Sequence, residues 1–347
     1  MKICFVSNLH LFSEIGGNWP EDSFRIFTEK ILPAIKENNP DAVIFMGNII
    51  APPSGLPDSD GKIIAERNAR FVDSLKNADI KNTFSLKGKN NTPESLMAIS
   101  EMGGPKFVHN EWIKFGDIAC YFFSSRYPNI QSAEHDLELI PLSDADTTIL
   151  LMHENILMPL PEKNLNWDIL DRISKNFDII INSCGEYRAF PNVWDLPPSL
   201  PGSMGYSKNA IEIDWREGEE PEIIRQENKF GIHFFDSQKK SLEFFPIDIG
   251  IKFVFAHLSF QKTPATLVRK RLVRLSELIS EMVDPKSTIL RINCSGYLIS
   301  NTARLVNNKW IWDMKEENVG WSNIQSEYFQ NFYNGSNRDL FCFYWNN

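Results

Sequence analysis

Four polar clusters, each directly after an apolar run, carry the residues of this chain that could do chemistry. They are "SNLH" (residues 7–10), "MGNII" (46–50), "KGKNN" (87–91) and "LMHEN" (151–155). A buried strand that stops in a polar cluster is a common place for a site, because open α/β sheets bind ligands beyond the carboxyl ends of their strands. Asp-x-His at the first cluster would read as a pair of metal ligands; here Asn8 takes the first place and His10 the second. His10 and His153, with Cys184 and Glu186 from the later stretch "NSCGEYR", form a mixed N/S/O set suited to one softer ion such as Zn²⁺. Each residue also has an ordinary reading. An asparagine at a strand end caps a turn, the histidines sit at the edge of a core, and Cys184 is a small buried apolar residue.

These clusters need strands and helices to position them, and the sequence supplies both in alternation. "ICFVS" and "DAVIFMG" read as buried strands, with a helix between them over "EDSFRIFTEKILPAIKENN". That helix has Phe24, Phe27 and Ile31 on one face and a kink expected at Pro33. A second helix carries the stripe Ile64, Asn68, Phe71, Leu75, ahead of a short strand "TFSLKG". "TPESLMAISEMGG" has an N-cap at Thr92, Pro93 at the first helical position and a glycine stop. From Lys106 the pattern turns sheet-like, through "KFVHNEWIKF", "IACYFFSS", "TTILLMH" and "FDIIINS", and a hairpin follows with its turn at Asp236 to Lys239. We place a domain boundary near residue 248. Residues 1–248 then form an α/β unit and 249–347 a smaller α/β unit with a strand, a strong helix from Thr263 and a strand "TILRINCSGYLI".

Composition narrows the function classes. The chain of 347 residues has a net charge of −9, pI near 5.3, 42% hydrophobic and 23% charged residues. That is a globular composition able to bury a core, and its acidity argues against strong stand-alone DNA binding through phosphate contacts. The five cysteines are scattered, with no Cys-x-x-Cys pair, which suits a reducing, cytoplasmic compartment. No apolar run reaches the ~18–20 residues of a membrane span, and "ICFV" is too short for a leader.

Taken in order, the clusters resemble the signature of the calcineurin-like metallophosphoesterases: Asp-x-His, Gly-Asp, Gly-Asn-His-Asp/Glu, a histidine after a strand, then Gly-His-x-His. Over nearly its full length the chain is similar to the SbcD / Mre-eleven type of DNA repair exonuclease, which continues to a "PGS" turn (here Pro201-Gly202-Ser203), a closing hairpin and a small capping domain. The resemblance implies a four-layer α-β-β-α sandwich holding two divalent metals ~3.5–4 Å apart, which polarise a phosphodiester and generate hydroxide.

Carried over residue by residue, the ligand set is degraded. Asn8 and Asn48 stand where the family has aspartates, the second of them bridging. His10 and His153 are kept. Gly88 is kept, but Lys89 replaces the metal-binding asparagine, Asn90 the histidine that protonates the leaving group, and Asn91 its acidic neighbour. In the last motif Ser183, Cys184 and Glu186 replace Gly-His-x-His, or, shifted by two, Gly185, Glu186 and Arg188 do; neither alignment restores a histidine. Amides bring no charge to offset two dications, and an ammonium at Lys89 would repel the second metal. Lys89 could instead fill that metal's place, bonding to the amide oxygens of Asn8, Asn48 or Asn91. Asn90 cannot act as a general acid near neutral pH.

The expectation is therefore a catalytically inactive homologue with no cofactor, a scaffold or regulatory subunit in DNA end processing. Its rivals are an altered single-metal enzyme using Zn or Mn, and a protein-binding module with no nucleic-acid role. Expected partners are a second copy or an active homologue, paired through the helices around Ile64–Leu75 and Leu96–Met102, and DNA ends. Family members also dock an SMC-like coiled-coil ATPase, but the helix pair they use has no clear counterpart here. In the small domain Arg269, Lys270, Arg271 and Arg274 could contact phosphate or form a solvated face opposite Val268, Leu272, Leu275 and Ile279. In the aromatic tail, Trp310 and Trp312 fit the small domain's own core, while "FCFYW" suits either a core or a partner surface.

Overall fold

A computed structural model describes residues 1–12, 19–51, 60–88, 91–124, 135–153, 172–183, 192–200, 211–225, 230–250, 252–283, 288–298 and 341–345. The chain divides into two compact units. One comprises Met1–Glu14, Trp19–Ser203 and Phe230–Ile249; the other comprises Ile15–Asn18, Met204–Lys229 and Gly250–Asn347. The second unit is therefore not confined to residues beyond 248: it also takes the stretch between the "PGS" turn and the closing hairpin.

The first unit is built on two sheets. One has the order β13-β12-β1-β2-β3-β4, with β1 (Lys2–Ser7), β2 (Ala42–Met46), β3 (Thr83–Leu86) and β4 (Lys106–Phe107) parallel. The hairpin β12 (Gly231–Asp236) and β13 (Ser241–Pro246) joins antiparallel to β1. The other sheet runs β5 (Glu111–Phe115), β6 (Ile118–Phe122), β7 (Thr147–Met152), β8 (Ile179–Asn182) and β9 (Val193–Asp195), parallel from β6 onward.

The sheets meet face to face through one core. Ile3, Phe5, Ile44 and Met46 of the first pack with Cys120, Phe122, Ile149, Leu151 and Ile181 of the second. The alternate residues face outward and are buried too, which is why β2 and β7 read as unbroken apolar runs rather than alternating ones. Outside the first sheet, Phe71 lies 5.4 Å from Phe45 and 5.5 Å from Phe27, ring centroid to centroid, which fastens α3 (Asp60–Asn77) to β2. Outside the second, Leu137 and Ile173 of helical turns at 135–138 and 172–174 cover Tyr121, Leu150, Met152 and Ile180. The result is a helix–sheet–sheet–helix sandwich, the α/β class expected.

The kinked helix is resolved into parts. α1 (Trp19–Ile26) runs into a π turn, Phe27–Ile31, and then α2 (Leu32–Asn38), with Pro33 in its first turn. A proline removes the N–H that would bond back and crowds the carbonyl four residues earlier, so the wider turn falls directly before it. α4 (Pro93–Glu101) starts as read: the Thr92 side chain accepts from the Ser95 N–H at 3.2 Å.

Among the described residues, the second unit is a sheet of order β11-β10-β14-β15-β16 with the long helix α5 (Ala265–Met282). β10 (Ile211–Trp215) and β11 (Glu222–Arg225) are strands the sequence reading did not place. β14 is Lys252–Thr263 and β15 is Thr288–Leu298. "FCFYW" is β16 (Phe341–Trp345), an edge strand antiparallel to β15. The stripe Val268, Leu272, Leu275, Ile279 packs on Ile213, Val254, Ala256, Leu258 and Phe260, as its spacing requires. Trp310, Trp312 and the "PGS" turn lie outside the described residues. Among the described residues no helix is long and apolar enough to cross a membrane.

Candidate functional site

Strand register alone gathers the first three clusters. Ser7 pairs with Met46, and Met46 with Leu86, so residues 8–10, 47–50 and 87–88 leave the first sheet at one edge. The first two loops continue a short ladder past the strands. The His10 N–H donates to Asn48 O at 2.8 Å and the Leu11 N–H to Ile49 O at 2.9 Å. In the second sheet Met152 pairs with Asn182, which sets His153 beside Ser183.

The backbone there is unusual. Asn8, His10, Phe12 and Asn48 all have left-handed φ, between 45° and 61°. Asparagine tolerates this; histidine and phenylalanine do so at a cost of about 1–2 kcal/mol each. Two glycines allow the close approach. A Cβ on Gly88 would lie 2.3 Å from the Asn48 backbone N, and one on Gly47, at φ +79°, 2.7 Å from His153 Nδ1.

The side chains form a closed hydrogen-bonded centre in which Asn8, Asn48, His153 and Ser183 are all buried. Asn48 Nδ2 donates to Asn8 Oδ1 at 3.0 Å and lies 3.0 Å from His153 Nε2. An amide nitrogen only donates, so Nε2 accepts and the ring proton sits on Nδ1. Nδ1 is 2.7 Å from Ser183 Oγ and 3.1 Å from Met46 O, and Ser183 Oγ donates to Met46 O at 2.6 Å. Asn8 Nδ2 donates to Ser183 O.

Asn91 stands apart from this chain of bonds. Its Oδ1 accepts from the Ile49 N–H at 2.9 Å and its Nδ2 donates to Ile50 O at 3.0 Å, so it acts as an extra piece of strand tying the third loop to the second. The bonds already made to Asn8 Oδ1 and Asn91 Oδ1 engage two of the oxygens proposed as acceptors for Lys89. Lys89, Asn90, Cys184, Gly185, Glu186 and Arg188 lie outside the described residues.

His10 contrasts with His153. It is 5% exposed, and its Nδ1 has no hydrogen-bond partner among the described residues. Burial alone pulls its pKa down to about 4, so the ring is neutral at pH 7.

These residues do not fit a two-metal cofactor. Two adjacent dications require carboxylates between and around them. Positions 8 and 48 present amides, Asn48 turns its N–H edge to the neighbours that would share a metal, and His153 Nε2 spends its lone pair on that edge. Among the described residues no group of three or more His, Cys, Asp or Glu could hold an ion.

The basic residues of α5 divide. Arg271 is a staple within the second unit and not a free cation. Its guanidinium donates to the carbonyls of Ser259, Trp215 and Arg216 at 2.8–2.9 Å and lies 4.8 Å from the Trp215 ring centroid. Lys270 and Arg274 are exposed, Arg274 within 3.1 Å of Glu277. The side chain of Arg269 is outside the described set.

Ser7 and Ser199 are contributors that sequence reasoning missed. The Ser7 N–H donates to Ser199 Oγ at 3.0 Å and the Ser199 N–H to Ser7 O at 2.7 Å, which fixes the end of β1. Nothing in the spacing of two serines 192 residues apart could have signalled this.

No protein-family model matches the chain, and no curated protein matches it. Among solved structures it matches Yfce, a phosphoesterase from E. coli, at a TM-score of 0.29 and 11% identity, over 72% of this chain and 100% of that one.

Proposed function

We propose that this chain is a phosphoesterase-like protein that has lost catalysis and serves as a scaffold or regulatory subunit in the processing of DNA ends. One observation carries the loss of catalysis: the Asn48 amide donates to Asn8 and faces His153 with N–H groups, where a bridging carboxylate would be needed. The order and spacing of the motifs, which resemble the SbcD / Mre-eleven type, supply the DNA-end context. The partners in this reading are DNA ends and a second copy or an active homologue; exposed Met97 on α4 and Met102 at its C-cap leave apolar surface for such pairing. An SMC-like ATPase is a further partner by the same resemblance, without a docking helix pair to support it.

The test is a nuclease assay on the purified full chain with Mn²⁺ and a model phosphodiester. The expected result is no turnover above blank; cleavage that disappears in His153→Ala overturns the reading. Binding to end-labelled duplex across a salt series tests the DNA context. Binding that weakens as salt rises is expected, and no binding at low salt leaves only a protein-binding module.

The buried Nδ1 of His10, which has no partner among the described residues, favours a second reading, in which one Zn²⁺ is held by His10 with Cys184 and Glu186. Stoichiometric zinc in the native protein by elemental analysis would establish it.

A further inference from the structure

One amide joins parts of the molecule that the strands alone leave separate. Asn48 leaves β2 of the first sheet, Asn8 leaves β1 of the same sheet, and His153 leaves β7 of the second. Among the described residues, the two protons of Asn48 Nδ2 face the acceptors Asn8 Oδ1 and His153 Nε2, each at 3.0 Å. Beyond them, Asn8 Nδ2 and His153 Nδ1 both reach Ser183, at the end of β8. The lone pairs that Asn8 and His153 turn inward thus meet N–H groups. The amide oxygen of Asn48 points the other way, to where a side chain at Gly88 would lie: a Cβ there would be 2.4 Å from Oδ1.

We propose that the two Nδ2 protons of Asn48 do for this centre what a cation does for a cluster of carboxylates: they supply the positive edge that draws the loop ends of both sheets together. The proposal rests on the loss-of-catalysis reading only at position 48. It concerns what closes the centre, not what the protein binds. Its consequence is that the fold is indifferent to divalent ions, and that an isosteric carboxylate at 48 makes it dependent on them. Asn48→Asp keeps the size of the side chain, removes both donors and sets a charge against two lone pairs.

The experiment is thermal unfolding of the full chain in EDTA and in millimolar Mn²⁺ or Zn²⁺, for the natural sequence, Asn48→Asp and the Asn8→Asp/Asn48→Asp double variant. The natural protein should unfold at the same temperature in all three solutions. Asn48→Asp in EDTA should unfold roughly 5–10 °C lower, from two lost buried bonds. The double variant should regain several degrees with Mn²⁺, because an ion that binds only the folded state stabilises it. The proposal is overturned by a natural protein that either ion stabilises, by Asn48→Asp without loss, or by a double variant that Mn²⁺ does not rescue. A readout that needs no variant is the ¹⁵N spectrum of the His153 ring: a proton on Nδ1 and a bare Nε2 are expected, and the opposite tautomer overturns the proposal. Duplex binding by the natural protein is untouched by any of these results, so failure here is distinguishable from failure of the DNA-end reading.

Discussion

His10 is costly to the fold twice over: its backbone sits at φ 45°, and its buried ring leaves Nδ1 without a partner among the described residues. Its ionisation adds a pH dependence whose sign is fixed. The folded-state pKa is about 4 against an ordinary 6.5, so between those values the unfolded chain binds a proton that the folded one refuses. Stability therefore falls as pH drops from 6.5 toward 4, by about 3 kcal/mol over the whole window, and the ring contributes no such loss above it. Urea unfolding at pH 7 and pH 4.5 checks this. Asn, which tolerates the left-handed backbone, should make His10→Asn less acid-sensitive than the natural protein. The two histidines also mark how far the sequence could be read at this scale. Both were visible as candidates after apolar runs, and so were the amides at positions 8 and 48. What the residues did instead was hidden, since the tautomer of His153 and the strand-like role of Asn91 depend on backbone atoms that only the folded loops bring near.

At the scale of elements, the loops are tied as tightly as the strands they extend. Asn91 satisfies one N–H and one C=O of the second loop. Asn91→Ala should cost about 2–4 kcal/mol by leaving both unpaired, measured by chemical denaturation. Gly88→Ala should be at least as harmful, because its Cβ would meet the Asn48 backbone and not a flexible side-chain tip. Phe71 anchors α3 through two ring contacts with no exposed surface, and Phe71→Ala should lose about 3–5 kcal/mol. Elements with strong periodicity were legible: the α5 stripe, the Thr92 cap and the Asp236–Lys239 turn all stand where their patterns put them. β10 and β11 were not, because "IEIDW" and "EIIR" are short, charged and separated by an acidic turn; Ile213 of β10 finds its cover in β14 and α5, later in the chain, and Ile223 and Ile224 of β11 stay exposed.

For the whole molecule, the division into units decides what a truncation would do. A chain cut after residue 249 looks natural from the sequence, yet it removes β14 and α5, the cover of Ile213 and the ladder partner of β10. Such a fragment should expose the β10–β11 pair, bind a hydrophobic dye and aggregate. A fragment that also replaces 204–229 by a short linker should not, and light scattering separates the two.

The two units are threaded through one another in sequence, since the chain leaves the first after Ser203, returns at Phe230 and leaves again after Ile249. β1 begins at Lys2 and waits for β12, whose last residue, Asp236, is its register partner. On a ribosome adding ~5–20 residues per second, that interval is on the order of 12–47 s. During it the newborn chain shows an apolar edge, "ICFV", with no neighbour on one side. A nascent-chain chaperone stationed at the exit tunnel would therefore meet this protein early and hold it long, and its depletion should reduce soluble yield.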